Sequence, residues 1–185
     1  IAITRMPAAS IAKCELTFID RISIDYAKAQ VQHQAYCEAL EACGVKVVRL
    51  PAADDLADSV FVEDTAIILD EVAIITPMGI ASRRPEPALI EPDIARFRPT
   101  VDIKLPATIE GGDVMRLGKA IFVSLSTRTN DAGIEALRTL AAPYGYTVTK
   151  VTLRDCLHLK SACTALDDQT ILVYSAGVDT SVFEG

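Results

Sequence analysis

Three times along the chain, a pair of short apolar runs brackets a polar or glycine-containing dipeptide. Residues 65–76 do so around Asp70-Glu71, residues 113–126 around Gly118-Lys119, and residues 161–175 around Asp167-Asp168. Short runs rich in Val, Ile and Ala on either side of turn formers predict β-hairpins. The hairpin centres recur at roughly 50 residues, the signature of a repeated supersecondary unit. After the second hairpin, residues 132–142 carry Ile134, Leu137, Leu140 and Ala141 on one helical face, and residues 147–153 then read as a strand. After the first, residues 90–97 form a less regular helix in the equivalent place, followed by a strand over 100–106. Ahead of the repeats, residues 1–7 read as a strand. Residues 25–43 form a helix with Ala29, His33, Tyr36, Leu40 and Cys43 facing inward and Gly44 as its stop, and residues 46–51 form a buried strand.

The unit is therefore strand, strand, helix, strand. One such unit cannot bury both of its faces, so several must pack together, and a radial arrangement of units is the expected α/β architecture. A chain of 185 residues is long enough for one domain, residues 1–185, with a real core. The last hairpin lacks its helix and closing strand, so the expectation is a fold left incomplete, with unpaired edges that a second copy of the chain could cover as a homo-oligomer.

Half of the residues are apolar and 23% are charged, a globular composition. No run approaches the roughly 18 apolar residues that a membrane-spanning helix needs. The net charge is −7 and the basic residues are scattered, which argues against nucleic acid as a partner, where phosphate contacts call for a basic stripe. The five cysteines, Cys14, Cys37, Cys43, Cys156 and Cys163, form no close pair and suggest a reducing, cytoplasmic setting.

Candidate chemistry gathers just before each hairpin. Asp58, Glu63 and Asp64 precede the first, Glu110 and Asp113 flank Gly111-Gly112 before the second, and His158 precedes the third. Carboxylate, carboxylate and imidazole thus occupy equivalent places in successive units. Each also has a plainer reading: solvated loop acids or helix caps, glycines serving a turn with positive φ, a core histidine. Arg83 and Arg128 follow the first and second hairpins, and a guanidinium fork suits the carboxylate of a small ligand. Cys156 and Cys163 flank His158 in sequence, but small buried cysteines commonly serve as core filler.

FVEDTAI, ASRRPE, IEGGDV, SLSTRTN and CLHLKSA, in this order and spacing, together with AITR and CELT near the start, resemble the dimethylarginine dimethylaminohydrolases. Arginine deiminases resemble the chain in outline, but they usually carry a helical insertion and HLD where this chain reads His158-Leu159-Lys160. The resemblance implies a pentein-type five-unit α/β propeller, here cut short after about three and a half units. It implies hydrolysis of Nω-methylated arginine to citrulline and an alkylamine, through a cysteine thiouronium, with neither metal nor organic cofactor. By the same resemblance His158 is the general acid/base, and Glu110 orients it and contacts the guanidinium. Asp64 holds guanidinium nitrogens with Glu63 beside it, Arg83 and Arg128 grip the substrate's carboxylate, and Asp58 and the backbone of Leu16 lie near its α-amino end. In the family the nucleophilic cysteine lies close to the C-terminus, and no cysteine of this chain matches it. Two other readings stay open: a deiminase or amidinotransferase with the same machinery, and a non-catalytic binder of cationic amino acids.

Overall fold

The computed structural model describes residues 1–183, which gather into two compact units, one over residues 1–62 and the other from residue 63 onward.

In the first unit, β1 (Ala2–Arg5) pairs in parallel with β2 (Val47–Leu50), and the link between them carries the helix α1 (Tyr26–Ala42). Asp25 caps α1, its side chain accepting from the Lys28 amide at 3.0 Å, and Gly44 leaves the helix at φ +80°. The inner stripe of α1 is narrower than its sequence suggests. Cys37 is fully buried and Ala29, His33 and Leu40 are half-buried, whereas Tyr36 and Cys43 are exposed. A two-stranded ribbon offers little surface, so the helix is covered along one narrow stripe, which also takes in the half-buried Tyr26 and Gln30. For the same reason β2 is only half-buried at Val47 and Val48, not buried throughout.

The second unit contains the repeats. Strands β3 (Ala66–Ile68) and β4 (Ala73–Ile75) form the first hairpin. The helix α2 (Glu86–Ile94) follows, and β5 (Thr100–Asp102) returns parallel to β4. The second repeat copies this order: β6 (Val114–Leu117) and β7 (Ala120–Ser124) pair antiparallel, α3 (Asp131–Ala141) crosses, and β8 (Thr147–Val151) lies parallel to β7. A short helix α4 (Leu159–Ala162) then leads into the third hairpin, β9 (Cys163–Ala165) with β10 (Ile171–Val173). Strand, strand, helix, strand is therefore the observed unit. The helix α2 begins four residues earlier than its periodicity implies, because Pro87 falls in the first turn, where a missing N–H is no loss.

One apolar cluster joins the first two repeats: Ile67, Leu69, Val72 and Ile74 pack with Ile121, Val123, Ile134 and Leu137. A second runs from the second repeat into the third through Met115, Phe122, Val151, Leu159 and Cys163. Shared cores of this kind hold neighbouring hairpins in fixed relation, and so fix whatever their entry turns carry. Among the described residues no helix is long and apolar enough to cross a membrane.

Candidate active site

Each hairpin is entered through a short helical turn, and each turn delivers one part of the site. Asp64 lies in the turn Val62–Thr65 before β3, Asp113 ends the turn Gly111–Asp113 before β6 with Glu110 at its cap, and His158 caps α4 before β9. The Thr76 hydroxyl, donating to the Asp64 carbonyl at 2.8 Å, fixes the backbone of the first of these turns. The side chains converge: Nε2 of His158 is 3.8 Å from Oδ1 of Asp64 and 3.7 Å from Oε2 of Glu110, and Nδ1 is 3.2 Å from Oδ1 of Asp113. The repeat thus brings together residues far apart in sequence.

Such closeness leaves no space at Gly111-Gly112. A Cβ at Gly111 would stand 2.0 Å from the Glu63 carbonyl oxygen. One at Gly112 would stand 2.6 Å from Oδ1 of Asp64 and 2.8 Å from Cγ of His158. Neither glycine has positive φ, so the turn reading of this pair gives way to close approach. The Gly112 amide also donates to Oδ1 of Asp64 at 3.0 Å.

Asp113 is completely buried and surrounded by donors: Ser124 Oγ at 3.0 Å, Ser126 Oγ at 2.6 Å and Thr129 Oγ1 at 2.6 Å. Burial alone would push its carboxyl up, but His158, Ser126 and Thr129 outweigh it and hold Asp113 below the ordinary range. An ionised Asp113 against Nδ1 leaves Nε2 as the nitrogen turned to Asp64 and Glu110. For His158, burial favours the neutral ring, yet Asp113, Asp64 and Glu110 reverse this and raise its pKa, favouring the imidazolium. Glu110 is wholly buried, and burial together with repulsion from Asp64 raises its pKa against the pull of Arg83 and Arg128. Its Oε1 accepts from the Gly79 amide at 3.1 Å. Among the described residues its Oε2 has no hydrogen-bond partner, with Arg128 Nη1 at 3.5 Å, Arg83 Nη1 at 3.6 Å and His158 Nε2 at 3.7 Å. An unsatisfied buried carboxylate oxygen calls for a donor-rich, cationic guest.

The two arginines differ. Arg83 is buried and gives Nη1 to Asp64 at 2.8 Å, Nη2 to Glu86 at 2.8 Å and Nε to both Glu86 oxygens at 3.2 and 3.1 Å. Burial disfavours its charge, but Glu86 and Asp64 more than restore it. Arg128 is equally buried, has Glu110 as its ion partner, and leaves Nε without a hydrogen-bond partner among the described residues. Glu63 is exposed and pairs with Lys160 at 2.7 Å. Asp58 and Leu16 lie in the first unit, where the buried Asp58 carboxylate accepts the Glu15 amide at 3.1 Å through each oxygen and Leu16 is half-buried. Two residues important to the geometry carry no assigned role in the sequence analysis: Asp113, present there only as the acid that closes EGGD, and Glu86, the last residue of ASRRPE.

Asp64, Glu110 and His158 could also hold a metal ion, since one ligand atom from each lies within 4.8 Å of the others. No cysteine belongs to this group. Cys163 packs in the second apolar cluster, donates to the Leu159 carbonyl at 3.6 Å, and has its thiol pushed up to about 11 by burial, and Cys156 packs against the same cluster. Cys163 therefore lacks the character of a thiolate nucleophile.

Residues 8–180 match the family model described as N,N dimethylarginine dimethylhydrolase, eukaryotic. The chain belongs to the dimethylarginine dimethylaminohydrolase family. It is 41% identical over 172 residues to the N(G),N(G)-dimethylarginine dimethylaminohydrolase of Streptomyces coelicolor, covering 92% of this chain and 67% of that protein. It is 36% identical over 184 residues to the enzyme of the same name from Pseudomonas aeruginosa, covering 98% and 72%. The solved structure of a Pseudomonas aeruginosa dimethylarginine dimethylaminohydrolase, a cysteine-to-serine variant complexed with citrulline, superposes with a TM-score of 0.88 at 38% identity, over 92% of this chain and 68% of that one. The repeated α/β units are thus those of the dimethylarginine dimethylaminohydrolase fold, of the pentein type.

Proposed function

We propose that this chain carries the guanidinium-binding and proton-transfer machinery of a hydrolase that converts Nω-methylated arginine to citrulline and an alkylamine. The observation that carries the reading is a half-buried imidazole with Nδ1 3.2 Å from Asp113 and Nε2 facing two acids, one of them, Glu110, with an oxygen lacking a hydrogen-bond partner among the described residues. Membership of the dimethylarginine dimethylaminohydrolase family supports it.

A guanidinium is resonance-stabilised and cationic. Asp64 and Glu110 pair its charge and orient its plane, leaving the central carbon electrophilic. A cysteine thiolate outside this chain's own five cysteines forms the C–S bond. The C–N bond to the methylated nitrogen breaks as imidazolium His158 gives that nitrogen its Nε2 proton, and the amine departs. The raised pKa of His158 suits this step, since the ring must begin the cycle protonated. Neutral His158 then takes a proton from water. The resulting hydroxide adds to the thiouronium carbon, the C–S bond breaks to return the thiolate, and a further proton passes to solvent as citrulline forms. No step requires a metal or an organic cofactor.

Arg128, whose Nε has no hydrogen-bond partner among the described residues, is proposed for the substrate's carboxylate. Arg83 joins it only by releasing Nη1 from Asp64. Glu63 completes the rim beside Asp64 while paired to Lys160. The five free cysteines fit a cytoplasmic protein. The test is product identity in the intact enzyme: dimethylamine and citrulline from asymmetric dimethylarginine support the reading. Ammonia from arginine with dimethylarginine untouched would assign a deiminase instead.

A further inference from the structure

Glu86 stands at the start of α2, only 3% exposed, three residues beyond Arg83. A carboxylate there could serve the helix N-terminus alone. Instead it takes the Nε and Nη2 edge of Arg83 through three contacts of 2.8–3.2 Å. With that edge fixed, Nη1 is turned to the other side, where it meets Asp64 at 2.8 Å and Glu110 at 3.6 Å. A guanidinium held by one edge is a rigid fork, unlike a lone side chain free to rotate.

We infer, resting on the function proposed above, that Glu86 is a positioning residue: by clamping one edge of Arg83 it sets where the other edge braces Asp64 and Glu110, the acids that receive the substrate's guanidinium. The physical need for such a brace is plain. Asp64 and Glu110 are two carboxylates in a buried space, and burial first, then their mutual repulsion, raises the pKa of Glu110. The cations that oppose this are Arg83 from the segment after the first hairpin, Arg128 from the segment after the second, and His158 from the cap of α4. Arg83 and His158 each face both acids and lie against a third, Glu86 for Arg83 and Asp113 for His158, but only Arg83 reaches Asp64 at hydrogen-bond distance, 2.8 Å. A loose Arg83 would leave the two acids without the cation fixed between them, and so free to turn from the positions a guanidinium needs.

The experiment compares the wild-type intact enzyme with Glu86→Gln and Glu86→Asp, with folding verified by circular dichroism. For Glu86→Gln the expected result is a KM for dimethylarginine higher by about tenfold, the scale of one lost charge-assisted hydrogen bond, with a smaller change in kcat. Glu86→Asp restores part of the KM. A merely structural role would lower yield or melting temperature, or shift kcat and KM alike, without rescue by Glu86→Asp. An unchanged KM in folded Glu86→Gln overturns the inference. If the wild type makes no citrulline from any guanidine, it is the function that fails. Nitrogen-15 NMR then decides the positioning claim alone: a slowly exchanging Arg83 Nε–H that Glu86→Gln makes fast upholds the clamp, and an equally protected Nε–H refutes it.

Discussion

His158 sits between unlike neighbours, an ionised and fully bonded Asp113 on Nδ1 and the pair Asp64 and Glu110 facing Nε2. Asp113→Asn keeps the size and removes the charge that raises the pKa of His158. The alkaline limb of the pH–rate profile then moves to lower pH and kcat falls by about a hundredfold or more; an unmoved limb speaks against Asp113 as the orienting group. The same pair makes stability depend on pH. His158 has a folded pKa above its ordinary 6.5, so its contribution is complete below that value and is lost as pH rises through the folded pKa. Asp113 has a folded pKa below its ordinary 3.8, so its contribution is present above that value and is lost as pH falls through the folded one. Melting curves of wild type and His158→Gln should therefore converge as pH rises through the alkaline side. The residues themselves were largely legible in the sequence, since Asp64, Glu110 and His158 stood at entries to repeated hairpins and do converge. Glu86 was illegible because a glutamate opening a helix looks like any other, and its meaning comes from Arg83 folding back on it. Glycine 112 was visible, but its reason was not: Gly112→Ala drives a Cβ to 2.6 Å from Asp64 and 2.8 Å from His158. We expect activity to fall by more than tenfold, the scale of about 1–3 kcal/mol of overpacking, and full activity in that variant would deny the close approach.

At the scale of elements, the entry turns matter more than the strands they precede. Hairpins and crossing helices followed from alternation and periodicity, and the second repeat was the clearest because α3 has a full apolar stripe in Ile134, Leu137 and Ala141. Where the amphipathic contrast was weak, in α1 and α2, the reading misplaced an inner face or a helix start, since tertiary contact decides those details. Asn130 shows how one polar residue links elements: it caps α3 through Gly133 N at 2.8 Å, accepts the Thr108 amide at 3.0 Å and donates to the Pro106 carbonyl at 3.0 Å. Asn130→Ala should lower stability by about 1–2 kcal/mol in chemical denaturation. A loss within a few tenths would mean that the cap and its two loop bonds are replaceable by water.

At the scale of the whole molecule, the site belongs to the repeat and not to any one segment, because the first and third hairpins each supply one group, the second supplies two, and the shared apolar clusters hold them in register. The chain spans 67% and 72% of the two curated relatives compared above, and its site has proton-transfer and charge-pairing groups but no cysteine among them. Chelators should leave turnover unchanged if the chemistry needs only those groups and a thiolate. Added divalent zinc should inhibit, since Asp64, Glu110 and His158 lie close enough to share an ion. The most direct measurement is citrulline and dimethylamine release from asymmetric dimethylarginine by the intact enzyme, run beside His158→Ala. The account predicts both products in equal amounts from the wild type and loss of turnover in the variant. Equal turnover without His158, or a folded wild type that releases citrulline from no methylated arginine, would contradict it.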